Sequence, residues 1–486
     1  MKTRFGFFLS LPLMFSASHT ALAAATPEEA ARLTSVFQSY LTAEPGVVKV
    51  EPDGDDYTIT LDIAPLAAKA ASQGVVIALS PLALTLTDEG EGKWTVSQQG
   101  PLNFSLKAKD ALTADVKIED YNWEGIFDEK LGTFSESSAE IKNISVAETI
   151  NDPNQGKTDV IASVKSMMIE QTATANAGGG VDMTANYTMD LMSATINTGG
   201  SPSSNVPPMN VVITAANGTY DTSATGMKAK SIFDLVSFFV SHTTEEQIVK
   251  DQVAFKTMLA SALPIFENVE GTGTFNTISI ATPMGPAGME SITFGADFNG
   301  IVKEGMLRES FTINGLIMPA AIIPPWAITL VPKNMTFDFA VSGFDLAAPA
   351  QLILAALDLS NKAQPLPAGF EATLLAAFMP SGNVNITLNP TSISNDLYSV
   401  NAEGTVTAGP AAMPAGKATV SAKGLDEVLK VIQAAPPEAG VQGGVAVIIA
   451  AKGMAKAGVD GALTWDIEGT PEAKVLVNGI DVNKLN

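Results

Sequence analysis

Apolar and polar positions alternate along much of this chain with a period of two. Val47 to Val50, a Pro52-Asp53-Gly54-Asp55 turn, and then Tyr57, Ile59, Leu61 and Ile63 between Thr58, Thr60 and Asp62 predict a β-hairpin. The same alternation returns at Leu82, Leu84 and Leu86, at Trp94 and Val96, at Leu102, Phe104 and Leu106, and at Val116 and Ile118. It returns again at Met183, Ala185, Tyr187, Met189 and Leu191, then at Val211 and Ile213. Further strands are predicted at 273–280, 292–298, 308–316, 335–341, 383–389, 398–406, 418–422, 462–468 and 473–477. Strands with one apolar face belong to antiparallel sheets that cover a core on one side.

Helical spacing is confined to fewer places. Residues 27–43 open with Pro27, Glu28 and Glu29, which suit a helix start. Leu33, Val36, Phe37, Tyr40 and Leu41 make its apolar stripe. Other helical patterns cover 231–240, 245–266, 347–359, 370–378, 425–435 and 445–457. The segment 196–210, rich in Gly, Ser and Pro, reads as a loop or linker. Two stretches share the order strand, helix pair, strand pair, then apolar-Asn-Gly-apolar. One ends at Asn314-Gly315, the other at Asn478-Gly479. An internal duplication of a β–αα–β unit would produce this; a common turn dipeptide would too.

The N-terminus changes the picture. A basic start at Lys2 and Arg4, an apolar core from Phe5 to Phe15 and the small residues Ala21-Leu22-Ala23 make the three-part layout of a secretory signal. Cleavage is expected at Ala23 to Ala25, giving a periplasmic or secreted protein. The stretch 310–332 is uncharged but contains Pro319, Pro324, Pro325 and Pro332, which do not suit a spanning helix. An outer-membrane barrel fits poorly with the central helices and the polar Asn483-Lys484-Leu485-Asn486. The organisation expected is a signal at 1–25, a β-rich region at 26–200, a middle helix-pair region at 201–332 and an α+β region at 333–486.

Composition removes whole classes of chemistry. There is no cysteine, hence no disulfide, thiolate metal site or thiol nucleophile. The net charge of −23, reaching −25 without the signal, opposes nucleic-acid binding and attraction to anionic lipid. Four tryptophans and six tyrosines are few for a sugar cleft. Of two histidines only His242 lies outside the signal, and its place after Phe238-Phe239-Val240 reads as a helix end. No nucleophile elbow or P-loop occurs. Gly271-Thr272-Gly273 lacks a third glycine and reads as the start of a strand. Asp53-Gly54-Asp55-Asp56 has Thr58 and Ala64 where a calcium loop needs Gly and Glu, so it reads as a turn. The acidic pairs Asp128-Glu129 and Glu245-Glu246 sit in polar contexts that suit a solvated face. No catalytic, cofactor or metal residue is therefore singled out. What remains is a positive mean hydropathy (+0.21) with methionines at 167, 168, 183, 189 and 192. An adaptable apolar surface would use such residues, as would an ordinary core.

Within residues 381–485, the runs ATVSAKGLDEVLKVIQAA and GALTWDIEGTPEAKVLVNGIDVNKL resemble the C-terminal part of the domain-of-unknown-function 2125 family. The resemblance implies an exported bacterial envelope protein rich in amphipathic strands, and carries over no functional residue.

The expected fold is α+β: a mainly antiparallel, curved sheet with helices packed on one face. The expected function is a non-enzymatic periplasmic protein holding a lipid or other hydrophobic ligand, with segments such as Tyr57 to Ile63 and Met183 to Leu191 lining the sheet. No cofactor, nucleic acid or transmembrane segment is expected; an envelope protein is the other partner class. A fully packed structural module and a hydrolase using carboxylates alone are the alternative readings.

Overall fold

The computed structural model describes residues 24–482 apart from 72–73, 110, 153–155, 201–206, 243 and 411. The expected signal lies almost wholly outside the described residues. Strand makes up 53% and helix 24%, so the excess of alternating over helical segments becomes an excess of sheet.

All the strands join one antiparallel sheet. It opens with the hairpin of β1 (Val48–Asp53) and β2 (Asp56–Leu61), turned at Gly54 with φ +70°. Here the run of acids is a turn, as its sequence suggests. Next come β3 (Val75–Leu79), β4 (Leu82–Gly90) and β5 (Lys93–Ala108). The first half of β5 pairs with β4 and the second half with β3, while β4 pairs back to β2. From there each strand pairs with its successor: β6 (Leu112–Asp128), β7 (Thr133–Asp152), β8 (Gly156–Ala175), β9 (Val181–Thr198), β10 (Met209–Met227), β11 (Asn268–Thr282), β12 (Gly285–Phe298), β13 (Gly305–Asn314), β14 (Asn334–Phe344), β15 (Val384–Ser394), β16 (Ser399–Gly409) and β17 (Ala412–Lys423). After the short β18 (Lys456–Ala457), β19 (Leu463–Gly469) pairs with β17, and β20 (Val475–Val477) and β21 (Ile480–Asp481) finish the series. No pairing closes β1 onto β21 among the described residues, and the sheet stays open. Pairing continues across residues 200 and 332 through β9–β10 and β13–β14.

Apart from α1 and α2, the helices are inserted between paired strands. α1 (Pro27–Tyr40) is capped by Thr26, whose Oγ1 accepts from Glu29 N, and α2 (Ala64–Ala71) leads into β3. α3 (Ala229–Ser241), α4 (Glu245–Lys250) and α5 (Gln252–Ala262) join β10 to β11. α6 (Ala347–Ala356) and α7 (Phe370–Phe378) join β14 to β15, at the same end of the strands. α8 (Leu425–Gln433) and α9 (Gln442–Met454) follow β17 at the opposite end. The one helix expected over 245–266 is two. Thr244 and Gln247 form a capping box on α4, the chain breaks at Asp251, and Pro264 limits α5.

The expected duplication does not survive as drawn. Asn314-Gly315 ends a three-strand meander after α5, whereas Asn478-Gly479 is the two-residue turn of the β20–β21 hairpin. The two helix insertions also stand at opposite strand ends.

The most closed core lies under α1. Leu33 and Leu86 are 0% exposed and Ile59 1%, packed with Phe37, Trp94, Val96 and Phe127. Helices packed on a sheet face, as expected, are seen here. The accessible surface of the whole chain is 28246 Å². A compact chain of this mass would expose about 17,000 Å². Most of the sheet is therefore a single layer.

Candidate functional site

Cross-strand partners share a face, so the register lets each face be traced across the sheet. One row runs Gly100, Tyr121, Ile141, Met167, Met189, Gly218, Phe275, Ile292, Ile313, Met335, Ile393, Val400, Ala422 and Leu463, from β5 to β19. None of its fourteen members is charged, and each is buried or half-buried. At about 4.8 Å per strand the row is roughly 60 Å long. A second row on the same face runs Ala173, Met183, Ala224, Val269, Phe298, Leu307, Val341, Ile386, Val406, Gly416, Gly469 and Val475. Between them Thr222 and Glu309 interrupt an otherwise mostly apolar line. One residue along the strands, on the other face, the row reads Asp120, Lys142, Ser166, Asp190, Asn217, Asn276, Ser291 and Asn314. Along these rows the sheet is two-sided.

A crease keeps it so. From Ile118 to Tyr121, Ile141 to Ile144, Val164 to Met167, Met189 to Met192 and Met289 to Ile292, the apolar positions are three apart, not two. Pairing skips one residue on each strand there. The skipped residues Asn143, Leu191 and Thr277 have φ of +54°, +47° and +53°. Each extra residue would flip every side chain beyond it; placing it in the left-handed region on alternate strands returns the apolar set to one face. Asn143 and Glu119, both skipped, hydrogen-bond on the polar side at 2.8 Å.

Glycines and rings share the apolar face. Tyr187, Tyr220 and Phe294 are spaced 5.9 and 6.1 Å apart by ring centroids, and Phe275 lies 6.0 Å from Phe294. Gly218 lies beneath Phe275, Gly271 beneath Tyr220 and Gly273 beneath Phe294. A side chain at any of them would displace a ring. Gly271-Thr272-Gly273 is thus strand interior, not the start of a strand.

Burial varies along this face. Ala139, Ile141 and Ile144 are 5–9% exposed, and the hydrophobic side chains packed on them come from β6, β7 and β8. Farther along, Phe294, Phe311, Phe339 and Ile386 are 38–42% exposed. At the first-strand end, α1 and α3 cover the face and enclose a cavity of about 200 Å³, lined by Phe37, Leu61, Trp123, Phe127, Phe134 and Phe233 among others. Burial holds the Tyr121 hydroxyl above its usual pKa. The polar face has its own depression, where Arg308 donates to both carboxylate oxygens of Asp338. This holds the Asp338 pKa below the usual range.

The sequence-expected residues fall in different places. Met167, Met183, Met189 and Met192 all lie on the apolar face, but Met168 faces the other way and is 52% exposed. Met183, Ala185, Tyr187 and Met189 lie on the apolar face. Leu191 does not: its left-handed backbone turns it to the polar side, 54% exposed, and Met192 takes its place. Tyr57 and Ile59 are not on an open surface, because α1 buries them. His242 does cap α3. Its ring stacks on Phe238 at 3.9 Å, Nδ1 lies 2.8 Å from Phe238 O, and Nε2 lies 3.1 Å from Asp251 Oδ2. Asp128 Oδ1 accepts from Lys130 N and Leu131 N in a turn, and Glu129 is held by Arg32 and Trp94 Nε1. Glu245 starts α4 and pairs with Lys362. Among the described residues no three His, Asp or Glu side chains converge as metal ligands.

No family model, curated protein or solved structure matches this chain.

Proposed function

We propose that this is a non-enzymatic envelope protein that holds lipid acyl chains along the apolar face of its sheet. The observation behind the reading is the uncharged fourteen-strand row from Gly100 to Leu463. A flat single layer would leave such side chains in water, each forgoing part of the roughly 1.5–3 kcal/mol that full burial of a large side chain gives. We infer that the face curls inward, because Ile141 reaches 6% exposure among hydrophobic neighbours of its own face. A trough of this kind accepts a long, featureless, flexible apolar ligand without specific polar contacts. The secretory pattern of residues 1–25 and the resemblance to exported envelope proteins support the address.

The test is direct. Full-length protein purified gently from a bacterial envelope is extracted with chloroform and methanol, and the extract is analysed by mass spectrometry. Wild type should yield phospholipid or fatty acid in stoichiometric amount. A Met189→Glu/Ile313→Glu variant, with charges on the row, should lose it while keeping its circular dichroism. Lipid-free wild type that also fails to bind a fluorescent phosphatidylethanolamine would favour the packed-module reading, for which the closed core under α1 is the supporting observation.

A further inference from the structure

We infer that the strand ends carrying the β13–β14 connection form a surface that dips into a zwitterionic lipid bilayer. One residue in about six of this chain is charged, yet residues 310–332 carry no charge, and neither do 439–451 at the start of α9. Both segments lie at the same end of the sheet, and α8 contacts α9 as well as the short helical turn 325–330. The exposed side chains here are large and apolar: Ile317 is 61% exposed, Ile322 45%, Ile328 51%, and on α9 Val447 68% and Ile449 54%. The β11–β12 turn adds Met284 at 50%, and its Gly285 lies against Pro319. At the other end α3 to α5 also expose apolar groups, but among Lys230, Asp234, Glu245, Glu246, Lys250 and Asp251, while α7 exposes Leu375 in the uncharged run 372–395.

Backbone satisfaction favours lipid over a protein partner. A loop that enters an apolar medium must bring its polar backbone groups already paired. The two ends of this connection do. Ile317 exchanges both backbone hydrogen bonds with Gly288, and Leu316 N donates to Lys333 O. The carbonyls of Thr329 and Val331 accept from Asn395 Nδ2, and that of Leu330 from the Tyr398 hydroxyl. Four prolines remove four donors outright. A protein interface would use a polar rim and free backbone groups for recognition; this patch offers few. The net charge of −23 selects against anionic headgroups, so the surface expected is zwitterionic.

The test uses full-length protein and phosphatidylcholine vesicles in a flotation gradient. Wild type should float. Ile317→Asp/Ile328→Asp should reduce the floated fraction about tenfold, whereas Val253→Asp, an exposed site at the opposite end, should leave it unchanged. Vesicles of brominated phosphatidylcholine should quench tryptophan emission in wild type and not in a Trp326→Phe variant. Wild type that stays at the bottom of the gradient, or an Ile317/Ile328 variant that floats as well as wild type, would overturn the inference. So would an unchanged floated fraction coupled with a change of oligomeric state in sedimentation, which would assign the patch to a second copy of the chain. The Met189→Glu/Ile313→Glu variant should still float, so failure of lipid holding and failure of membrane contact are separately visible.

Discussion

Phe294 on β12 lies so close over Gly273 on β11 that a Cβ added to the glycine would fall 2.4 Å from the ring's Cζ. The ring and the missing side chain are one packing unit. Gly273→Ala should therefore cost about 1–3 kcal/mol, as overpacking does. The same substitution should cost about 1 kcal/mol less in a Phe294→Ala background, because the obstacle is gone. Urea denaturation of the four proteins measures the coupling; additive costs would show that the ring yields freely.

The Arg32–Glu129 pair joins α1 to the β6–β7 turn, with contacts of 2.8 and 3.0 Å. Bonding to Arg32, helped by Trp94 Nε1, holds Glu129 below the ordinary glutamate pKa. A lowered native pKa adds stability above the unfolded value of about 4.3, and that stability is lost as pH falls through the native value. Glu129→Gln should thus lower stability at pH 7 by about 1 kcal/mol, a modest figure because both partners are partly exposed. The gap between wild type and variant should narrow below about pH 4. A gap independent of pH would mean the charge is not what matters.

Leu191 and Met192 are neighbours with opposite expected responses. Leu191 occupies left-handed backbone on the polar side, which asparagine tolerates better. Leu191→Asn should be neutral or stabilising by up to about 1 kcal/mol. Met192→Asn, on the apolar face, should cost about 2 kcal/mol. Thermal midpoints of the two variants decide this, and a costly Leu191→Asn would contradict the crease geometry.

His242 binds α3 to the break before α5 through its stack on Phe238 and its contact with Asp251. Its side chain is only 18% exposed. His242→Ala should cost about 1–2 kcal/mol, more than an exposed helix end would. Faster amide exchange confined to α3–α5, with exchange in the sheet unchanged, is the expected signature.

Much of this architecture is legible in the sequence. The hairpin through Gly54, the stripe of α1 and most strands after Met183 follow from periodicity alone. β7 and β8 do not, although they are 20 residues each. Their apolar series slips by one at Asn143 and Lys165, so Ile141 and Ile144 break a strict alternation that the fold restores. Met168 and Ile161 add apolar residues to the polar face and blur it further. The candidate site was visible as a surplus of apolar residues and methionines. Its continuity was not, because cross-strand register is a relation between segments far apart in the text of the chain. Leu191 shows the limit: on period two it belongs inside, and only its backbone angle turns it out.

From β5 to β16 each strand hydrogen-bonds to its predecessor and successor in the chain, apart from the side pairing of β3 with β5, so these strands form a ladder that can be lengthened by rungs. Adding or deleting one hairpin would change the span by about 10 Å while leaving the cross-section and every other pairing as they are. Reach is then a quantity that gene duplication or deletion adjusts in fixed increments. Each new rung also finds its template in the strand just before it, which suits a chain that is synthesised from its N-terminus.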